Sequence, residues 1–306
     1  MALLLVEPAA FGFNAETATT NRFQQSSDRS AADVAAQARA EFHGLVAALR
    51  GAGIALAIAP DDLQPPRPDA VFPNNWVSFH RDGSVVLYPM RDPTRRAERR
   101  EAVLDCVKQQ LGFVETRRID LSGQENQQRY LEGTGSLVLD HAHRIAYACR
   151  SPRTDETLVR EWAALLGYEP CLFDAATHDG AAVYHTNVLL WIGAGVVGVG
   201  LEWVAPAQRE ALRAKLGASG RRLLLLDNQQ LLHFAGNMLE VSAADGQRHL
   251  VMSASAHSAL RAADLELLRA AGSQPLVAAI PTIEQLGGGS VRCMLAEVPL
   301  AMESSG

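Results

Sequence analysis

The 306-residue sequence is short of several things, and each shortage removes a class of function. It has no run of Lys or Arg, and 28 basic against 34 acidic residues leave a formal charge of −6. Nucleic acid and an anionic membrane surface are therefore not expected as partners. It has only four cysteines, Cys106, Cys149, Cys171 and Cys293, with no CxxC pair and no HExxH spacing. Neither a zinc site nor a disulfide framework is indicated, and no metal or cofactor is expected. No apolar stretch comes near the roughly 18 residues of a membrane span, and Glu7 and Pro8 interrupt the opening "MALLLVEPAA" too early for a signal peptide. The expectation is a soluble cytoplasmic protein with reduced thiols; a homo-oligomer is left open. What the chain does have is apolar residues, 48% against 20% charged, enough for a sizeable core in one large domain or two ordinary ones.

Read for period, the sequence repeats a unit of two short apolar runs, an amphipathic helix ending near glycine, and one more apolar run. In the first clear copy "VFPNNWVSF" and "SVVLYPM" flank the turn "RDG", then come the helix "PTRRAERREAVLDCVKQQLG" and the run "FVETRRIDL". The second starts at "GSLVLD", the third at "TNVLLWIG" and the fourth at "NMLEVSA", whose helix is "HSALRAADLELLRAAG". First strands beginning near residues 71, 135, 186 and 237 give spacings of about 64, 51 and 51, close to the periods of roughly 20–50 residues that mark repeat architectures. A fifth copy needs both termini: "SVRCMLAEV" supplies its first strand, "ALLLVEP" its second, "SAADVAAQARAEFHGLVAALRGAG" its helix and "IALAIAP" its last strand. Five such units would close into a ring, the two chain ends pairing as a hairpin, and so hide faces and edges that each unit alone would expose. The plain alternative is an ordinary mixed α/β protein whose strands are grouped too generously.

In a ring, residues at the start of each first strand converge on the axis. Those positions carry Asp69, Asn74 and Asn75, then Glu132, then His185 and Asn187, then Asn237, and finally Cys293 after the glycines 287–289. A cysteine, a histidine and a carboxylate reaching one cavity supply a nucleophile, a proton carrier and a group that orients substrate. The other cysteines read as packing residues, and the other eight histidines, His80 among them, as surface or turn residues. The segment "FGFNAETATTNRFQQSSD" is too long and polar for a tight connection and reads as a lid, from which Asn14 would meet substrate.

As a set, "FGFNAETATTNRFQ", "VFPNNWVSF", "LEGTGSLVLD", "YHTNV", "GNMLE" and "GGGSVRCMLAE" resemble the pentein or guanidine-modifying superfamily, which includes arginine deiminase, dimethylarginine dimethylaminohydrolase and the glycine amidinotransferases. The resemblance covers nearly the whole chain and is nearest to the citrulline-utilisation hydrolase branch, often labelled amidinotransferase-like. It implies a five-bladed α/β propeller forming a single catalytic domain, 1–306. Cys293 would be the nucleophile, His185 the general acid and base, and Glu132 the acid that holds substrate nitrogen. Arg153 in "SPRTD" matches a carboxylate-binding Arg of relatives, and Arg91 in "YPMRDP" is a second candidate, since a planar fork suits a carboxylate.

A free thiol with a pKa near ~8.5 is mostly protonated at neutral pH, so an attacking cysteine needs help from its surroundings. Attack on the planar carbon of a guanidine or ureido group gives a tetrahedral adduct; His185 would protonate the departing nitrogen and later activate water. Guanidine-acting relatives carry aspartate where this chain has Asn75, and arginine deiminases carry another where it has Asn187. A guanidinium offers only donors and wants carboxylates, whereas a neutral ureido group offers both acceptor and donors, which a carboxamide can answer. The expected reaction is hydrolysis of citrulline to ornithine, carbon dioxide and ammonia. The alternatives are arginine deiminase, arginine dihydrolase or methylarginine hydrolase activity and, further off, amidino transfer from arginine to an amine.

Overall fold

The computed structural model describes residues 1–300; residues 301–306 of the expected domain lie outside the described residues. The strands form five separate three-stranded sheets rather than one closed barrel, and every sheet has the same plan. A middle strand pairs antiparallel with one neighbour and parallel with the other. Ser84–Leu87 does so between Val77–Phe79 and Arg117–Asp120, and Ile145–Cys149 between Val138–Asp140 and Glu169–Phe173. Val196–Val199 lies between Leu190–Ile192 and Arg222–Leu225, and Arg248–Ser253 between Leu239–Ser242 and Ser273–Ala278. The fifth sheet joins the chain ends as the sequence suggested: Ala2–Glu7 runs antiparallel to Ala296–Val298, Ala2 facing Val298 and Leu4 facing Ala296, and parallel to Ala55–Pro60.

A parallel pair needs a crossover, and each is a helix. The longest, Ala31–Gly51, starts where the Ser30 side chain accepts a hydrogen bond from the Asp33 amide, a cap whose removal costs about 1 kcal/mol. It buries Val34, Ala38, Phe42, Leu45 and Leu49, one face of a 3.6-residue period. No helix among the described residues is long and apolar enough to cross a membrane.

The core follows from the two-residue period of the strands. Val85 packs with Ala2 and Leu4 of the sheet at the chain ends, whereas the next residue, Val86, packs with Ala146 and Trp162 of the following unit. Tyr147 then shares a cluster with Leu190, Val197 and Leu250, while Val251 joins Leu3 and Leu5. Each middle strand is thus apolar on both faces because each face meets a different neighbour, and the contacts lead from one unit to the next and back to the first.

Four local expectations change. The first strands begin later than the pattern suggested, because the chain makes a helical turn before each of four of them: Pro73–Asn75, Gly133–Ser136, Thr186–Val188 and Val291–Met294. Cys293 therefore sits on a turn and not in a strand. The helix expected over residues 93–112 is broken into Pro93–Arg96 and Glu101–Leu111, and the break turns Arg95 and Glu98 inward as a buried ion pair. The helix expected over residues 257–272 begins early and breaks into Ala254–Ala259 and Ala262–Ala270, with Arg261 extended between them. His80 is not a surface residue: it is 8% exposed, hydrogen-bonded to Ser78 Oγ at 2.8 Å, and burial pushes it down to about 4.

Candidate active site

The turns that precede the strands gather the chemistry. Residues on these turns and in the segments beside them come from different units and line one cavity. The cavity is small, about 10 Å³, and is lined by residues that include Asp69, Asn75, Arg95, Arg153, His185 and Cys293. That is room for about one water.

His185 and Glu132 form the innermost pair, with His185 Nε2 2.8 Å from Glu132 Oε2. Burial is the largest influence on His185 and pushes it down to about 4 against the pull of Glu132. Glu132 is also fully buried, yet Arg153 and His185 hold it well below the usual carboxylate range. The pair is thus an ionised carboxylate and a neutral imidazole. A carboxylate only accepts, so Nε2 carries the hydrogen and donates it, leaving Nδ1 as the ring's free lone pair. Glu132 has no spare oxygen: Oε1 accepts from the Arg91 amide at 3.1 Å, and Oε2 is also 3.3 Å from Arg153 Nη1.

Cys293, 3% exposed, follows Ser290, whose hydroxyl donates to Glu284 Oε1 at 2.7 Å. The glycines ahead of it seat the lid. Gly288 closes the helix Pro281–Gly287 at φ +62, and a Cβ there would come within 2.6 Å of Asn21 and Gln24. Its carbonyl accepts from Asn21 Nδ2 at 3.1 Å and from Tyr184 Oη at 2.7 Å. The segment 11–30 is thus fastened over the cavity. Asn14 is part of that fastening and does not line the cavity: its Nδ2 donates to Asp69 Oδ2 at 2.7 Å. Arg153 Nη2 donates to Thr17 O at 2.9 Å and Thr20 Oγ1 at 2.8 Å, tying lid to site.

The remaining expected residues divide. Asn75 and Asp69 line the cavity; Asn187 approaches Cys293 Sγ with its Nδ2 at 3.6 Å. Asn74 does not line it, and its Oδ1 accepts from Asn75 Nδ2 at 3.0 Å. Arg91 lies at the lid margin, 2.6 Å from Asp92 and 3.3 Å from Thr19 Oγ1.

Sequence reasoning missed Arg95. Its guanidinium, 3% exposed, donates to Glu98 at 2.8 and 2.9 Å and to Asn75 Oδ1 at 2.7 Å, and stands 3.9 Å from Asp69 and 4.0 Å from Glu132. Burial pushes Glu98 up to about 7 against the pull of Arg95. A signal was present, since arginines in the first turn of a helix oppose its dipole, and "PTRR" puts two there.

A family model described as N,N dimethylarginine dimethylhydrolase, eukaryotic, matches residues 7–300. No curated protein matches the sequence. Among solved structures, the chain is similar to apo ArgZ, an arginine dihydrolase from the ornithine-ammonia cycle in Cyanobacteria, at 15% identity and a TM-score of 0.74, covering 98% of this chain and 41% of that one. The chain thus spans less than half the length of that relative. It matches the separate N-terminal domain of ArgZ, in a mutant bound to substrate, over 98% of this chain and 99% of that one, at 15% identity and a TM-score of 0.74. A dimethylarginine dimethylaminohydrolase adduct with 4-chloro-2-hydroxymethylpyridine is similar at 14% identity and a TM-score of 0.64, covering 96% of this chain and 98% of that one. With the family model spanning nearly the whole chain, the protein belongs to the N,N dimethylarginine dimethylhydrolase family of C–N bond hydrolases, within the pentein guanidine-modifying superfamily.

Proposed function

We propose that this chain is a single catalytic domain, a five-bladed α/β propeller whose blades are the five sheets, and that it hydrolyses the ureido group of citrulline. The paired chain ends and the apolar clusters that link each sheet to the next support the propeller reading.

Cys293 attacks the ureido carbon. The Nδ1 lone pair of His185 takes the thiol proton, returns it to the departing nitrogen, and then takes one from the water that cleaves the carbon–sulfur bond. Glu132, with both oxygens engaged by the protein, fixes the imidazole's tautomer and orientation. The lid, which Arg153 ties to the site, covers the amino acid end. Hydrolysis of the carbon–sulfur bond leaves a carbamic acid, which loses its remaining nitrogen as carbon dioxide forms, so that citrulline and one water balance ornithine, carbon dioxide and ammonia.

One observation carries the choice of substrate: the carboxamide of Asn75 lines the cavity and that of Asn187 lies beside the thiol. A neutral ureido group presents both an acceptor and donors to those carboxamides, whereas a guanidinium offers donors alone; Asp69, which lines the cavity 3.9 Å from an Arg95 already paired with Glu98, is the feature that favours a guanidinium instead. The rival substrate is arginine, favoured by the likeness to ArgZ, which is described as an arginine dihydrolase. Purified protein given citrulline or arginine separately, with ornithine and ammonia measured, distinguishes them. Ornithine and ammonia from citrulline are expected; ammonia from arginine alone overturns the reading.

A further inference from the structure

Two carboxamides meet at the sulfur of Cys293. Asn237 Nδ2 lies 3.4 Å from Sγ and 2.9 Å from the backbone oxygen of Asn187. Asn187 Nδ2 lies 3.6 Å from the same sulfur and 3.3 Å from the backbone oxygen of Thr134. These carbonyls fix both orientations: a carbonyl oxygen only accepts, so each amide must turn its NH2 toward it. An NH2 has two hydrogens, one for the carbonyl and one left for the sulfur, and the nitrogens are nearer to it than the oxygens of the same carboxamides, which lie at 3.7 Å for Asn237 and 3.9 Å for Asn187. Asn187 and Asn237 are each 1% exposed.

Asn237 is held there by an unusual backbone. Phe234 adopts φ +63, a region bulky side chains avoid, and a Cβ on Gly236 would come 2.0 Å from Val188 O. A conformation with that cost persists where the surroundings demand it.

The other polar groups around the thiol do not supply a free positive charge. His185 is neutral and gives its Nε2–H to Glu132; Arg95 is spent on Glu98 and Asn75, and Arg153 on Glu132 and the lid. Tyr184 donates to Gly288, and Asp69 is an acid. A neutral ureido substrate brings no cation either.

We propose that Asn237 is a catalytic residue that acts with Asn187 to hold Cys293 as a thiolate, through one N–H···S hydrogen bond from each carboxamide. Hydrogen bonds to an ionised acceptor are about twice as strong as those between neutral groups. Ionisation passes the thiol proton to Nδ1 of His185, which keeps it for the departing nitrogen, and the two donors hold the charge left on the sulfur. The inference rests on Cys293 being the nucleophile but not on the identity of the substrate.

The test therefore uses no substrate. The rate of Cys293 alkylation by iodoacetamide is followed against pH, by mass spectrometry of its peptide, in the wild type, Asn237→Leu and Asn237→Asp. The loss of one hydrogen bond to a charged acceptor is expected to raise the midpoint by about one to two pH units in Asn237→Leu. Asn237→Asp, which keeps the side-chain shape and places a carboxylate beside the sulfur, is expected to raise it further, and it reads the same quantity if the leucine variant does not fold. Cys149 serves as the internal control, since burial pushes its thiol up to about 12. A midpoint unchanged or lowered in a folded variant, even with a reduced melting temperature, shows Asn237 to be structural and overturns the proposal. Loss of citrulline hydrolysis on its own would bear only on the substrate.

Discussion

The same leading strands end in two very different hollows. At the end where helical turns precede them lies the cavity of about 10 Å³ beside Cys293. At the other end, where the strands run into hairpin turns, a basin of about 680 Å³ is lined by residues that include His80, Asp140, Trp191, Glu240 and Glu297. Size alone would put the substrate in the basin. Charge placement says otherwise. The basin's acids are answered from its rim: Asp140 by Arg221 and His143, Glu240 by the Ala194 amide and Glu297 by Arg292. In the small cavity the carboxylates, guanidiniums and imidazole are nearly dry, so each lost partner is felt at full strength. Burial of chemistry, not volume, separates a reactive pocket from a depression between turns.

The largest expected effect is at the nucleophile. Cys293→Ala should lower ornithine formation by at least ~10³-fold without lowering the melting temperature; full activity in the variant would move the chemistry elsewhere. Next comes Arg95→Met, which strands Glu98 and Asp69 and should cost about 3–5 kcal/mol in urea unfolding. Adding Glu98→Gln should return part of that loss, because the two changes share one interaction.

A smaller effect comes from His80 at the basin end. Its value falls from 6.5 to about 4 on folding, so between those values the unfolded chain binds more protons. Stability from this group is fully present above 6.5 and is lost as pH falls toward 4, with a span on the order of 3 kcal/mol. Unfolding of His80→Asn should depend less steeply on pH across that window; an unaltered slope would show that His80 does not set it. Smallest of all is Arg81→Ala in the basin, for which citrulline turnover should stay within about twofold and stability within ~0.5 kcal/mol. A strong loss there would reverse the assignment of the two hollows.

How much of this could be read from residues alone differs between fold and site. The repeating unit was legible because each middle strand is apolar on both faces and each crossover helix carries an apolar stripe, patterns that leave a period in the sequence. Even the pairing of the chain ends followed, since "SVRCMLAEV" and "ALLLVEP" each lacked a partner otherwise. The convergence of Cys293, His185, Asp69 and Asn75 followed from the same period. What did not follow were contacts set by local backbone. Nothing in "VFPNNW" says that Asn75 faces the cavity while Asn74 turns back to support it. Arg95 was hidden because its segment reads as an unbroken helix, whereas the chain breaks between Arg96 and Glu101 and turns Arg95 and Glu98 inward together. Asn14 was rightly sought near the lid, but its partner is Asp69, a contact across 55 residues of chain.

The join between Ala2–Leu4 and Ala296–Val298 also makes the seat of the thiol depend on a segment far away along the chain. The turn bearing Cys293 runs directly into Ala296–Val298, whose pairing partner is Ala2–Glu7. Loosening that partner strand would free the turn as well, so the reactivity of the sulfur would report on the integrity of the whole ring of sheets.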